Sequence, residues 1–356
     1  MTSATIDRAP FGRLADGSVV ERVTLRGGHG FEAAILPFGA ALQSLSTPDR
    51  DGRCDDIVLG HDDFDGYLAE RKFFGATVGR YANRIAGARF MLDGETIALD
   101  ANNGPNALHG GPEGFDRKLW EIVELTDRPE PTLVLARMSP HGEEGYPGNL
   151  QTCVTYRVRG AMELSVMFEA TTDRPSLINV TNHSFFNLDG ARSGTQILDH
   201  RLMIASDHFL AIDATSIPLP EPPRSVDGTP FDFREPSAIG ARIRMNDEQL
   251  RLGRGYDHNY CLASGSDLRI AARLEAPRSG RAMELFTDQP GLQFYSGNFL
   301  DGSTAGKGGR LYRQSDALCL EPQAWPDTAN RPDFPSARLD PGQTYRRSIV
   351  YRFSTV

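Results

Sequence analysis

The segment Val19-Val20-Glu21-Arg22-Val23-Thr24-Leu25 has the mainly period-two pattern of a half-buried β-strand. It leads through the turn residues His29-Gly30 into a second apolar run, residues 31–36, and a break at Gly39 precedes a third run, residues 40–46. Strand-forming residues separated by glycine-rich breaks are typical of strands and turns. This stretch therefore predicts three consecutive antiparallel strands.

Similar short runs, rich in valine, threonine and aromatic residues, recur to the end of the chain. They cover residues 88–92, 119–125, 132–138, 150–158, 162–171, 201–205, 258–263, 268–274, 283–287, 292–299, 317–320 and 344–353. Only residues 65–72 and 236–242 predict a turn or two of helix. The pattern predicts an antiparallel all-β protein, a large sandwich, and the absence of repeats and linkers favours one domain over residues 1–356.

The composition restricts the classes of partner. The chain has 38 basic and 47 acidic residues among 356, a net charge of −9, which argues against binding the phosphate backbone of nucleic acids. No apolar run approaches the ~20 residues that a membrane helix requires. The 36 glycines and 23 prolines are more than average usage and indicate many turns. We therefore expect a small-molecule ligand and neither nucleic acid nor membrane as a partner.

The cysteines and the first residues bear on location. Residues 1–10 contain no apolar segment of a signal peptide, and the four cysteines lie far apart. Such cysteines are expected to be free thiols in a reducing compartment. We expect a cytoplasmic protein.

Three residues are candidates for proton chemistry, and each also has a structural interpretation. His183 has a near-neutral intrinsic pKa that suits a general acid or base, but it also suits a buried core histidine. Glu321 closes an apolar run just before Pro322, where it either pairs with an arginine or is desolvated with a raised pKa. His109 precedes two glycines that leave the backbone open to a ligand, or it is simply a turn residue.

Other polar and aromatic residues leave similar alternatives open. Asp257 and Arg84 are candidates for binding sugar hydroxyls or for a structural ion pair. One or two aromatic residues are expected to line a sugar ring and the rest to be core; the candidates are Phe115, Trp120, Phe185, Phe186, Phe294, Tyr295 and Trp325. The histidines stand apart, without the HxH or HExxH spacing of metal ligands, so we expect no metal.

Four ordered motifs decide between these alternatives by resemblance. They are Asn103-Gly104-Pro105-Asn106-Ala107-Leu108-His109-Gly110-Gly111, Thr181-Asn182-His183-Ser184-Phe185-Phe186-Asn187-Leu188, Gln289-Pro290-Gly291-Leu292-Gln293-Phe294-Tyr295 and the Glu321 segment that ends in Phe334-Pro335-Ser336. Together with residues 142–148 and 230–234, they resemble the aldose 1-epimerase (galactose mutarotase) family from about residue 31 to residue 353.

The resemblance implies a two-sheet β-supersandwich that interconverts the α and β anomers of free aldoses without a cofactor. Glu321 matches the general base that takes the C1 hydroxyl proton, and His183 matches the general acid that protonates the ring oxygen. His109 matches a second histidine near the ring oxygen or neighbouring hydroxyls. The positions that match hydroxyl-binding residues are Asn83, Arg84, Asp257 and Gln293.

Other functions stay open at this stage. A hexose-6-phosphate mutarotase would need basic residues grouped at the site, and a non-catalytic sugar-binding or sugar-sensing domain would tend to lack the acid/base pair. A hydrolase built on Glu143 and Glu144 is disfavoured, because neighbouring residues on a strand face opposite ways.

The chain departs from the family pattern at four positions, His141, Phe185, Asp288 and Pro322. These departures bear on substrate preference among galactose, glucose, xylose and arabinose, which the sequence does not decide. It also leaves open whether the protein is a monomer or a homodimer.

Overall fold

The computed structural model describes residues 5–263, 265 and 267–356. Its strands, in chain order, are β1 (Ile6–Arg13), β2 (Val19–Arg26), β3 (Glu32–Leu36), β4 (Ala41–Pro48), β5 (Cys54–Asp56), β6 (Ala76–Val78), β7 (Arg84–Ile85), β8 (Arg89–Leu92), β9 (Glu95–Ala98), β10 (Ala107–Leu108), β11 (Glu121–Thr126), β12 (Thr132–Ser139), β13 (Leu150–Arg159), β14 (Glu163–Thr172), β15 (Ser176–Leu177), β16 (Thr181–His183), β17 (Phe185–Phe186), β18 (Arg201–Ile204), β19 (His208–Phe209), β20 (Arg224–Ser225), β21 (Ser237–Ala238), β22 (Asp257–Cys261), β23 (Arg269–Glu275), β24 (Arg281–Thr287), β25 (Gly291–Tyr295), β26 (Asp301–Ala305), β27 (Leu311–Arg313), β28 (Leu318–Gln323), β29 (Arg338–Leu339) and β30 (Tyr345–Thr355).

Helix is limited to short segments. The α-helices of the described residues are α1 (Phe64–Ala69) and α2 (Glu248–Gly253), six residues each. The 3-10 turns are Ala86–Ala88, Phe115–Arg117, Glu143–Gly145, Ile197–Asp199, Ile239–Ala241, Lys307–Gly309 and Thr328–Asn330. In the part of the chain described, no helix is long and apolar enough to cross a membrane.

Three antiparallel sheets make up most of the fold. A nine-stranded sheet has the order β11-β12-β13-β14-β30-β24-β23-β18-β21, a six-stranded sheet the order β17-β28-β25-β22-β19-β20, and a five-stranded sheet the order β1 to β5. All three contribute apolar side chains to one hydrophobic core, such as Val154 and Leu320 from the two larger sheets. The all-β, antiparallel prediction is confirmed, whereas the single domain stays a prediction.

The alternation of side chains along β28 separates the core from the opposite face of the six-stranded sheet. Leu318 and Leu320 belong to the core, so Cys319 and Glu321 point to the other face. The same holds in β25, where Leu292 is in the core and Gln293 is not. One face of this sheet therefore anchors the strands and the other presents polar side chains.

Most predicted strands are found within one or two residues, and the exceptions have physical reasons. The helix expected at residues 236–242 is wrong, because strand β21 and a 3-10 turn occupy that segment. Helix α2 was not predicted, because six residues are too few to show helical periodicity; the Asp247 side chain caps it by accepting from two backbone amides. Strand β1 was also missed, since its charged residues and Pro10 are typical of an edge strand.

Two glycines, one on each side of strand β10 and near His109, give a matched test of the packing. Both have positive φ, +60° at Gly104 and +81° at Gly110. A Cβ on Gly110 would lie 1.9 Å from the backbone oxygen of Gly79, whereas a Cβ on Gly104 has nothing within 4 Å. We expect Gly104→Ala to lower the free energy of unfolding by about 1 kcal/mol, the cost of the left-handed backbone.

Gly110→Ala must also displace backbone, so we expect a loss of roughly 3 kcal/mol or more. Urea unfolding of both variants measures the difference. Equal losses in the two variants would contradict the close backbone approach at Gly110.

Candidate functional site

A cavity of about 200 Å³ lies on the polar face of the six-stranded sheet. It is lined by Arg71, Lys72, Phe73, Asn83, Arg84, Leu108, His109, His183, Phe185, Asp257, Gln293, Tyr295, Phe299, Leu300 and Glu321. The seven residues predicted for the site are all among them. A larger cleft of about 840 Å³, along residues 335–347, contains none of the seven.

Strand register brings the polar residues of the sheet together. Gln293 in β25 pairs directly with Glu321 in β28 and, on its other side, with Asn259 in β22. Directly opposed residues of antiparallel strands point to the same face of the sheet, so Glu321, Gln293 and Asn259 share one face. Asp257 lies two residues before Asn259 in the same strand and therefore points to that face as well. The Gln293 amide donates to Asp257 Oδ1 at 2.7 Å.

Glu321 is a buried carboxylate whose hydrogen-bonding capacity is not fully used. It is 2% exposed, its Oε1 lies 3.6 Å from His183 Nε2, and its Oε2 has no hydrogen-bond partner among the described residues. Burial raises the pKa of Glu321 well above its usual value, the charge of Asp257 raises it further, and Arg84 opposes the shift. Glu321 is therefore a stronger base than an ordinary surface carboxylate.

His183 ends strand β16, which pairs it with Ala76. The apolar segment around it, residues 177–188, does not form one continuous strand, because β15, β16 and β17 are separate short strands. His183 Nε2 faces Glu321, and its Nδ1 lies 3.5 Å from the Sγ of Cys319. Burial lowers the pKa of His183 to about 4, so its protonated form is a strong acid.

The opposite shifts at Glu321 and His183 have a joint consequence. The lowered pKa of His183 disfavours a second proton on the pair, and the raised pKa of Glu321 disfavours removal of the first. Between the two shifted pKa values the pair therefore holds one proton, and the shifts favour the carboxyl over the imidazole as its location.

His109 has a defined tautomer. The backbone N–H of Asn83 donates to His109 Nδ1 at 3.1 Å, and since an amide N–H only donates, the neutral ring carries its proton on Nε2. Burial, His183 and the nearby arginines hold the pKa of His109 well below 6.5, so the ring stays neutral. His109 can donate a hydrogen bond into the cavity without changing its charge.

The same tautomer bears on metal binding. One ligand atom each from His109, His183 and Glu321 lie within 4.8 Å of one another, a spacing that resembles a metal site. A metal needs an unprotonated ring nitrogen, but Nδ1 of His109 is occupied by Asn83 and Nε2 carries the proton. The hydrogen bonding thus argues against a metal.

The remaining polar residues leave unsatisfied groups facing the cavity. Arg84 Nε donates to Asn103 Oδ1 at 2.9 Å, but its Nη2 is 4.0 Å from Asp257 Oδ2, too long for a direct hydrogen bond. Gln293 Oε1 has no partner among the described residues, like Glu321 Oε2. Buried polar groups without partners are uncommon, and a ligand with many hydroxyls would satisfy both donors and acceptors here.

Aromatic and basic residues that the sequence did not assign also line the cavity. Phe73 stacks against His183 and contacts His109, with ring centroids 5.7 and 4.7 Å away. No local pattern points to Phe73, because its position depends on a φ of +58°. Of the candidate aromatics, Phe185 and Tyr295 line the cavity and the other five do not.

Three of the four positions that depart from the family pattern lie outside the cavity. Only Phe185 lines the cavity; His141 Nδ1 accepts from Gly148 N–H, and Asp288 Oδ1 accepts from Ser348 N–H. Glu321 does not close its strand, since β28 continues through Pro322 to Gln323. Beyond Cys319, β17 no longer pairs with β28, and a proline is tolerated along such an edge.

Glu143 and Glu144 do not form a catalytic pair. They lie in a 3-10 turn, so the expectation that they alternate on a strand is wrong. Glu143 is bound by Arg137 at 2.7 Å, and neither carboxylate lines the cavity.

Comparisons with known proteins agree on one family. The family model for aldose 1-epimerase matches residues 21–352. The galactose mutarotase of Bos taurus is 43% identical over 98% of this chain and 99% of its own length. The aldose 1-epimerase of Escherichia coli (strain K12) is 39% identical over 95% and 96%. A solved GalM/aldose epimerase homologue from C. elegans has a TM-score of 0.86 and 32% identity, covering 95% of this chain and 99% of that one.

The burial of Glu321 has a measurable effect on stability. A carboxyl whose pKa is raised on folding stabilises the protein while it is protonated, and this contribution is lost as the pH rises from 4.5 through the raised pKa. We expect Glu321→Gln to be more stable than the parent at neutral pH by on the order of 1–2 kcal/mol. The difference should shrink toward pH 4.5, as followed by urea unfolding at several pH values. If Glu321→Gln is less stable than the parent at neutral pH, the conclusion that the buried charge of Glu321 is uncompensated is wrong.

Proposed function

Because this chain belongs to the aldose 1-epimerase family, we propose that Glu321 and His183 open and reclose the ring of a free aldose. The protein is a mutarotase, an isomerase that interconverts α and β anomers. The observation that carries the residue assignment is the 3.6 Å approach of Glu321 Oε1 to His183 Nε2 inside a buried, polar cavity. One base and one acid on neighbouring atoms of a hemiacetal are what ring opening requires.

The proposed reaction begins with the pair's proton on His183. Glu321 takes the C1 hydroxyl proton, and the electron pair left on O1 forms the second bond of the C1=O1 carbonyl. The bond from C1 to the ring oxygen breaks, its electron pair goes to the ring oxygen, and His183 protonates that oxygen. Rotation about C1–C2 presents the other face of the aldehyde. Closure reverses the two proton transfers, so the pair begins and ends with one proton and needs no cofactor. The opposite pKa shifts of Glu321 and His183 fit this exchange, since the two forms differ only in which group holds the proton.

The other predicted residues are proposed to bind and orient the sugar. The neutral Nε2–H of His109 would donate to the ring oxygen or a neighbouring hydroxyl, and it adds stabilisation where negative charge develops. Hydroxyls would pair with Arg84 Nη2, which lies 4.0 Å from Asp257, and with Gln293 Oε1, which has no partner among the described residues. Asn83 and Asp257 are the other two residues proposed to bind sugar hydroxyls.

The contacts of the two cavity arginines favour a free sugar over a sugar phosphate, which leaves Lys72 as the remaining cation of the lining. Arg71 is held by two 2.7 Å hydrogen bonds to Asp116 and one of 2.8 Å to Gly111 O, so its charge is already matched. Among the described residues, the Arg84 guanidinium donates only from Nε, to Asn103, and the Asp257 carboxylate 4.0 Å from its Nη2 offsets its charge without a direct hydrogen bond. The grouped, unmatched cations that a hexose phosphate requires are therefore not provided by these two arginines. The cytoplasmic location, the lack of nucleic-acid and membrane partners, and a monomeric or homodimeric state stay predictions.

Removal of the base tests the function most simply. Glu321→Gln keeps the shape of the side chain and the contact with Gln293 but cannot accept the C1 proton. We expect anomer exchange to fall by roughly 10²–10⁴-fold, while sugar binding is largely retained. Polarimetry or NMR saturation transfer on free and 6-phosphorylated sugars measures exchange, and ligand titration measures binding.

Glu144→Gln is a matched control, since Glu144 also has a raised pKa from burial but lies outside the cavity. It should retain the parent rate. Near-normal mutarotation by Glu321→Gln would overturn the assignment of the base.

A further inference from the structure

Two phenylalanine rings stack against His183. The ring of Phe73 lies 5.7 Å from it with an interplanar angle of 21°, and that of Phe185 lies 5.0 Å away at 24°. Both distances are within the ~6 Å at which the face of an aromatic ring attracts a cation. The imidazolium form of His183 is therefore in contact with two electron-rich ring faces.

The position of Phe73 is imposed by its surroundings. Its φ of +58° is rare for a bulky residue and persists only when neighbouring contacts hold it. The Arg71 guanidinium lies 4.7 Å from the Phe73 ring centroid and is itself fixed by Asp116 and Gly111 O. A strained residue that is held against a candidate acid indicates a role in the site.

Few of the other groups that face His183 stabilise its protonated form. Glu321 is the opposite charge at 3.6 Å, the Cys319 thiol lies at 3.5 Å, and the neutral His109 ring is 5.3 Å away. The nearest cation behind Phe73 is Arg71, whose charge is matched by Asp116 at 2.7 Å. Burial penalises the imidazolium, so only Glu321 and the ring faces stabilise it among these groups.

We propose that Phe73 is a positioning residue for His183, and that its ring face, together with that of Phe185, favours the form of the pair in which His183 holds the proton. This inference rests on the proposed acid/base roles of Glu321 and His183. That form is the one from which ring opening begins, so its population scales the rate. Phe73 thereby offsets part of the penalty of burying the acid.

Phe73→Leu tests the proposal, because leucine keeps an apolar side chain and removes the ring. We expect kcat for anomer exchange to fall about tenfold with little change in KM, which is the range of one desolvated cation–π contact. Phe73→Tyr retains the ring face and should restore most of kcat. The acid limb of the kcat–pH profile of Phe73→Leu should move to lower pH than in the parent, because weaker stabilisation of the imidazolium disfavours a second proton on the pair.

The protonation state is read from the imidazole nitrogen chemical shifts of His183 in the isotope-labelled full chain, titrated from neutral pH down through the region of its lowered pKa of about 4 and assigned by comparison with His183→Asn. At each acidic pH, Phe73→Leu should shift these signals toward the neutral imidazole relative to the parent. Phe299→Leu is the matched control: Phe299 also lines the cavity but stacks on Tyr295 at 6.0 Å, so the His183 signals should not move.

Unchanged His183 signals in Phe73→Leu, or a loss of kcat that Phe73→Tyr does not restore, would overturn the proposal. Both results concern Phe73 alone. Failure of the proposed acid/base roles would instead show as an active Glu321→Gln variant.

Discussion

The burial of one carboxylate beside one imidazole is the constraint on which the rest of the structure depends. Glu321 is 2% exposed, and the ionisable side chain 3.6 Å from it is a histidine whose own charged form is penalised by the same burial. Neither group gains stability from this arrangement at neutral pH. The protein holds them there because the core side of the same strand, through Leu318 and Leu320, is anchored between the large sheets.

The site combines rigid strands with strained loops. Asp257, Gln293 and Glu321 lie on paired strands, where register sets their spacing, and strand-borne groups are held more closely than loop-borne ones. Phe73 and His109 come from loops and adopt positive φ, +58° and +52°. The contact of Phe73 with His183 and the hydrogen bond from the Asn83 amide to His109 give the two histidines different properties. One is a fixed neutral donor, and the other is a group that gains and loses a proton.

The sequence predicted the strands well because half-buried strands alternate, and the alternation is visible without knowing the partner strand. It did not show which strands pair, so the cross-strand pairing of Gln293 with Glu321 could not be derived from the period-two pattern alone. Local chemistry left His183 and Glu321 undecided, and the ordered motifs assigned them by resemblance. Phe73 could not be predicted, because its contact with His183 joins residues far apart in the chain through a backbone conformation that phenylalanine rarely adopts.

The central claim is that Glu321 and His183 act as one unit that passes a single proton between its members. The most direct test is the rate of anomer exchange in Glu321→Gln, His183→Asn and the double variant. Residues that act as a unit give strongly non-additive losses, so the double variant is predicted to be no slower than the slower single variant. If the two losses multiply in the double variant, the residues act independently and the shared-proton account is wrong.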